Sequence, residues 1–259
     1  MIMTSDLILI ILVSFGASML TFFSGFGLGT ILAPVFMFFF EPVIAIALTA
    51  IVHFLNNLFK LGLLFKNIDL KIAFKFGFAA MIGSFLGSML LFKMGSVVLF
   101  KYHLGAAELN IELLKLVIAV LLIFFSVLEI YPVIKLNVTE KHLPLGGLLS
   151  GFFGGLTGHQ GALRSLFMIK LGLKKEVFIA TGVLIACMID ITRLSVYAER
   201  LSSFDFSENI PYIISATIAA FAGAFLGNKL LKKVTMQSLQ ILVAIMIIIF
   251  SFALGMGII

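Results

Sequence analysis

Long uninterrupted apolar runs dominate the pattern of hydrophobic and polar positions along the chain. A helix needs about 20 mostly apolar residues to cross the ~30 Å hydrocarbon core of a bilayer. Runs of that kind occupy residues 6–24, 43–65, 72–92, 113–131, 175–198, 209–231 and 235–257. We therefore predict an all-α polytopic membrane protein in which each of these runs spans the bilayer.

Two other apolar segments are interrupted by clusters of glycine. Segment 20–40 contains Gly25, Gly27 and Gly29, and segment 146–172 contains Gly151, Gly154, Gly155, Gly158 and Gly161. A glycine inside a helix costs about 1 kcal/mol, so such clusters mark breaks. We predict that each segment forms a helix, an unwound turn and a short second helix, which raises the total to about 8–10 helices.

The two halves of the chain carry matching features in the same order. The matches are Ser24-Gly25-Phe26 with Ser150-Gly151-Phe152, Gly83/Gly87 with Gly223/Gly227, and Lys60 with Arg193. We interpret them as a duplication: a first transmembrane repeat at 1–131, a cytoplasmic linker at 132–145 and a second repeat at 146–259. Each repeat would hold one glycine-broken hairpin and three spanning helices.

The basic residues between the spans predict the orientation. Lys66 and Lys71 follow the second long run, whereas Lys170, Lys174 and Lys175 precede its counterpart in the second half. Cytoplasmic loops are rich in Lys and Arg, so both clusters should lie inside and both termini outside the plasma membrane. The repeats would then be inverted, a construction that many secondary transporters use to hold substrate near the midplane.

Composition supports the membrane assignment and excludes other classes. Of 259 residues, 62% are hydrophobic and only 12% are charged, far from the balance of a soluble domain. The net charge of +6 is spread between the spans, so we expect no nucleic-acid partner. One cysteine, Cys187, excludes an intrachain disulfide or a CxxC pair. We expect no cofactor, no metal site and no catalytic residues.

The second break carries the densest group of polar residues in an apolar segment. His159, Gln160, Arg164 and Ser165 lie within seven residues, and Gln160 and Arg164 share a helical face at the i,i+4 spacing. The start of a short helix would add free N–H groups, and a guanidinium fork matches two oxygens of a small oxyanion. The alternative is an arginine that extends to the cytoplasmic interface.

Two further stripes of polar residues lie on predicted spanning helices. His53, Asn56, Asn57 and Lys60 fall on one face, where they either bind substrate or join helices through hydrogen bonds. Asp190 and Arg193 can form an intrahelical pair that lowers the insertion cost of both. A proton-coupling role for this pair is the sharper alternative.

The glycine motifs resemble those of the sulfite exporter (TauE/SafE-like) family of membrane transporters. The first copy runs from Gly25 to Pro34 as GFGLGTILAP, and the second from Ser150 to Gly161 as SGFFGGLTGHQG. The resemblance implies transport of sulfite, thiosulfate, sulfoacetate or related small anions. The second copy departs from the family pattern at His159-Gln160 and Arg164-Ser165, where substrate would be read.

These observations predict a permease for a small anion, such as sulfite, thiosulfate or an organosulfonate, that works by alternating access. The predicted substrate-binding residues are Gly27, Gly29, Thr30, Asn56, Asn57, Lys60, Gly158, His159, Gln160, Gly161, Arg164 and Ser165. The coupling candidates are Asp190 and Arg193. The alternatives are an intramembrane enzyme that uses His159 and Asp190, or an anion channel.

Overall fold

The computed structural model describes residues 4–21, 28–94, 97–105, 107–130, 139–202, 209–230 and 237–259. Those residues form ten α-helices: α1 Thr4–Thr21, α2 Leu28–Met37, α3 Pro42–Leu64, α4 Leu70–Met94, α5 Leu113–Ile130, α6 Leu143–Thr157, α7 Gly161–Met168, α8 Lys175–Ser202, α9 Ile210–Leu230 and α10 Gln237–Gly255. Short 3₁₀ turns follow α3 at Phe65–Asn67, precede α6 at Glu140–His142 and follow α7 at Ile169–Leu171. The prediction of a mostly helical chain with 8–10 helices is confirmed.

The helices coincide with the predicted apolar runs to within a few residues. Within the described residues, α3, α4, α8 and α9 are long and apolar enough to cross a bilayer. The described parts of α1, α2, α5 and α10 are shorter apolar helices. Pro42 starts α3 because its missing N–H lies in the first turn, where helices lack a backbone partner anyway.

Large apolar side chains cover the outside of the helical bundle. Phe74, Phe78, Ile82 and Phe85 lie on one face of α4 and are all exposed. Soluble monomers rarely expose contiguous apolar patches of that kind. The polar residues His53, Asn57, Asp190 and Arg193 are buried instead. Apolar outside and polar inside is the arrangement of a protein embedded in lipid.

The segment between α4 and α5 corrects the all-α prediction. The sequence leaves 93–112 as the connection between two predicted spans, and within it Val98–Leu104 (β1) and Ala107–Glu112 (β2) pair as an antiparallel hairpin. Gly105 turns the chain in a left-handed conformation with φ of +64°. The stretch Val97–Phe100 is rich in residues that favour strands, yet too short to be read as a spanning run.

Glycines allow α4 and α6 to pack backbone against backbone. A Cβ added at Gly83 would collide with the carbonyl oxygen of Leu148, and one at Gly155 with that of Ser84. A similar close contact joins α1 and α9, where a Cβ on Gly223 would collide with the carbonyl of Phe15. Small residues at such spacings are typical of tightly packed membrane helices, and Gly83 and Gly223 act in this way here.

The two short helices return to opposite ends of the bundle. Asp6 near the start of α1 and Phe39 after α2 both lie beside Tyr212 at the start of α9. At the other end, Gly146 near the start of α6 packs on the ring of Phe167 near the end of α7. Phe167 belongs to the same hydrophobic cluster as Ile72, which lies at the start of α4. The pair α1–α2 therefore opens toward one face of the bundle and α6–α7 toward the other.

Candidate functional site

The second glycine break takes the form that the sequence predicts. Helix α6 ends at Gly158, whose left-handed φ of +84° suits glycine, and α7 begins at Gly161. The Ser150 hydroxyl donates to the carbonyl oxygen of Gln160 over 2.8 Å and so holds the turn. The segment 146–172 is thus a helix, a three-residue break and a short second helix.

The break meets the start of α2 inside the bundle. A Cβ placed on Gly29 would lie 3.3 Å from the carbonyl oxygen of Gly158 and 3.9 Å from the ring of His53. Thr30 is also buried there. Of the predicted site residues, Gly27 lies outside the described residues. The short helices from the two ends of the bundle therefore approach each other at Gly29 and Gly158.

Asp190 is the centre of a buried hydrogen-bond network that joins α3, the break and α8. Its Oδ1 accepts bonds from Arg193 Nε at 2.9 Å and from Gln160 Nε2 at 3.1 Å. Its Oδ2 lies 2.7 Å from His53 Nδ1 and 3.4 Å from Asn57 Nδ2. All five side chains are at most 4% exposed. The predicted intrahelical pair of Asp190 and Arg193 forms, with a shortest contact of 2.8 Å.

Two further cations border this network. Arg164 on α7 lies 3.5 Å from Gln160 Oε1 and packs against Gly182 of α8. Lys60 on α3 is only 4% exposed, and its Nζ lies 3.3 Å from the amide of Asn56. When the Asn56 amide is turned so that its oxygen accepts from Lys60 Nζ, its nitrogen donates to the carbonyl oxygen of Ala220. Lys60 and Arg164 are close enough for their charges to interact.

The cluster contains more positive than negative charge. Among the described residues it contains the cations Lys60, Arg164 and Arg193, but a single carboxylate, Asp190. Arg193 and His53 already occupy that carboxylate. Positive charges that lie close together in a weakly screening site repel each other, so an anion beside Lys60 and the partly buried Arg164 would stabilise the arrangement. Within the described residues no group of three His, Cys, Asp or Glu could hold a metal ion.

His159 lies outside this network, although it is part of the break. Its Nδ1 is 3.0 Å from Thr157 Oγ1, and its ring stacks on Phe125 of α5 with an interplanar angle of 5°. Nε2 is buried without a hydrogen-bond partner in the described structure. Ser165 is half-buried on α7 next to Arg164. The structure therefore brings Gln160 and Arg164 to the Asp190 cluster and turns His159 toward α5.

Two residues that complete the cluster lie on the polar stripes of α3 and α8 but outside the predicted substrate-binding set. His53 was placed on the polar stripe of α3, but its partner Asp190 is 137 positions away. Tyr197, one turn beyond Arg193, donates its hydroxyl to the carbonyl of Gly155 at the end of α6. The spacing of both stripes pointed to buried faces; only the packing of α3 on α8 shows that these faces meet.

Buried charged side chains around a broken helix, inside a bundle with a lipid-type surface, define the class of polytopic helical membrane transporters. A family model described as sulfite exporter TauE/SafE matches residues 10–254. The chain belongs to this family. The comparisons with curated proteins and with solved structures give no match.

The family match confirms the resemblance that the glycine motifs indicate. Members of the family are membrane transporters and not enzymes, so the prediction of a transporter is confirmed. The match does not favour an intramembrane enzyme or a channel.

Proposed function

We propose that the protein is a plasma-membrane permease for a small sulfur oxyanion or sulfonate, which binds between Lys60 and Arg164 beside the second break. The observation that carries this proposal is the charge of the buried cluster, in which three cations face one carboxylate. An anion is the ligand whose charge would offset this excess of positive charge. Sulfite, thiosulfate and small sulfonates present several oxygens to guanidinium, ammonium and amide donors at once.

The surroundings of Arg164 suit a small oxyanion. Gln160 lies between Arg164 and Asp190, so it orients the guanidinium without neutralising it. Gly161 begins α7, and Gly29 and Thr30 belong to the first turn of α2. Backbone N–H groups in the first turn of a helix lack intrahelical partners and favour anions. Asn57 would add an amide donor from α3, next to Lys60.

The packing supports a duplicated, inverted architecture with repeats at 1–131 and 146–259. Phe15 and Leu148 occupy equivalent positions against Gly223 and Gly83. The same separation along the chain relates three pairs of positions: the starts of α2 and α7, the starts of α3 and α8, and Lys60 and Arg193. The tripeptide match of Ser24–Phe26 with Ser150–Phe152 has a shorter separation, so it lies out of this register.

Alternating access would follow from the two re-entrant pairs and a cavity at one end of the bundle. A cavity of about 830 Å³ opens beside Glu41, Lys93 and Glu199, on the face that we assign to the outside. Phe92 lines it, and the edge of that ring packs on Tyr197, which reaches Gly155. We interpret the cavity as an outer vestibule that this aromatic contact separates from the anion site. Movement of one repeat against the other would open it.

The orientation is also a proposal, with both termini outside and the linker 132–145 in the cytoplasm. Lys66, Lys170 and Lys174 lie at the face toward which α6–α7 opens, and the positive-inside rule assigns that face to the cytoplasm. The anion site, on the cytoplasmic side of the Asp190 network, would then be nearer the inner face.

Flux measurements in proteoliposomes test the proposed function. We expect the parent protein to carry sulfite, thiosulfate or isethionate, and Arg164→Ala to weaken apparent affinity by roughly 10–100-fold, because charge-assisted hydrogen bonds contribute about 1.5–3 kcal/mol. Arg164→Lys, which keeps the charge but not the fork, should lie between. Lys101→Ala, which removes an exposed cation of the hairpin, is the matched control. Absence of uptake by the parent, or equal affinity in Arg164→Ala and Lys101→Ala, would overturn the proposal.

A further inference from the structure

The contact between His53 and Asp190 joins the two halves of the protein at the point where charge is least balanced. His53 is on α3 and Asp190 on α8, and their 2.7 Å contact is buried on both sides. A carboxylate can only accept a hydrogen bond, so the contact fits a donated Nδ1–H. Nε2 is then the nitrogen with a free lone pair. The amide nitrogen of Asn57 lies beside the ring, 3.3 Å from Nε2 and 3.1 Å from Nδ1.

We infer that His53 Nε2 is the proton-binding site that couples proton movement to anion transport; this rests on the proposed function and names its coupling residue. The geometry suits uptake of a proton at Nε2. The Asn57 amide can turn from the ring to Asp190 Oδ2, 3.4 Å away, because it already lies between the two. The imidazolium would keep its bond to Asp190 while the Asn57 amide donates to the same carboxylate.

A short path of contacts links this nitrogen to the anion site. His53 and Gln160 bind opposite oxygens of the Asp190 carboxylate, and Gln160 contacts Arg164. Lys60 is seven residues after His53 on the same helix, two turns away. An anion between Lys60 and Arg164 is therefore linked to the group that takes up the proton through Arg164, Gln160 and Asp190, in a medium that screens charge weakly.

The charges around His53 determine the sign of the coupling. Its own helix supplies Lys60, and α8 supplies Asp190 and Arg193; α2 packs Gly29 against the ring. The ionisable residues of α9 in the described range, Tyr212 and Lys229, lie near its two ends. With Lys60 and Arg193 nearby and one carboxylate, a further positive charge on His53 becomes more favourable when an anion arrives. Anion binding and proton uptake should therefore promote each other, as linkage requires.

Thiosulfate is the appropriate probe, because its own charge does not change in the neutral pH range. In unbuffered detergent solution we expect the parent protein to take up close to one proton when it binds thiosulfate. In proteoliposomes, thiosulfate affinity should rise by up to about tenfold for each unit that the pH falls. Asparagine can still donate to Asp190 but cannot bind a proton, so His53→Asn should keep thiosulfate exchange and lose the pH dependence. His103→Asn, which changes an exposed histidine of the hairpin, should keep both.

Each result decides between the claims. Thiosulfate binding without proton uptake, or an unchanged pH dependence in His53→Asn, would overturn the coupling role and leave the anion site intact. A parent protein that neither binds nor exchanges thiosulfate, sulfite or isethionate at any pH would overturn the proposed function instead. If His53→Asn does not fold, the proton uptake of the parent protein is decisive by itself.

Discussion

Replacement of Asp190 by asparagine tests whether the buried charge cluster is arranged as described. The substitution keeps the size of the side chain but removes the negative charge from four donors. Arg193, which is 0% exposed, would lose the negative charge that it meets at 2.8 and 2.9 Å. In either orientation the new amide N–H₂ would face another donor. It would meet His53 in one orientation, and Arg193 and Gln160 in the other.

The structure sets the size of the effect. Removal of one partner from a buried ion pair costs about 3–5 kcal/mol, because the other charge stays buried without compensation. For a chain of this size 1 kcal/mol shifts the melting temperature by about 2–4 °C, so we expect a decrease of roughly 6–20 °C. Thermal unfolding in one detergent measures it.

Two variants make the measurement specific. Glu108→Gln removes a carboxylate from an exposed pair with Lys101, where both side chains are more than half exposed, and should leave the melting temperature unchanged. Arg193→Gln combined with Asp190→Asn removes both buried charges and should recover much of the loss. A melting temperature for Asp190→Asn within a degree or two of the Glu108→Gln value would refute the buried ion pair.

Two further predictions concern the helix interface and the linker end of α6. Gly155→Ala should destabilise the protein by about 1–3 kcal/mol, because its new methyl group meets the Ser84 carbonyl. The control Gly62→Ala has open space around the new methyl group and should be neutral or stabilising. Equal melting temperatures of the two variants would contradict the close packing of α4 on α6. The hydrogen bond from Lys71 holds the pKa of Glu140 below its usual value, so this pair stabilises the fold at neutral pH and is lost as the pH falls through that lowered pKa. The melting temperature of Glu140→Gln should therefore fall less steeply with acid than that of the parent, and identical acid profiles would contradict the contribution of the pair.

The spanning helices could be predicted from the sequence because hydrophobic length alone sets their position. Helix α3 begins at Pro42, a residue that suits the first turn of a helix, and α8 begins at Lys175, where the predicted apolar run begins. The break at Gly158 was predictable for the same reason, since only glycine adopts its left-handed backbone without strain. The β-hairpin was not, because its strands are short and their stability depends on pairing with each other.

The contacts of the site could not be derived from sequence periodicity. A stripe of residues indicates which face of a helix is polar, but not which other helix covers it. His53 and Asp190 come together only through the packing of α3 on α8. The position of His159 in the break likewise favoured a substrate contact, whereas its rotamer directs the ring to Phe125 of α5.

An experimental density map of the protein with bound thiosulfate tests the position of the anion site. We predict density for the anion within about 3 Å of Arg164 and Lys60, beside Gly158 and the start of α2. Arg164 directed toward the headgroups, or thiosulfate bound only at the surface of the bundle, would contradict it.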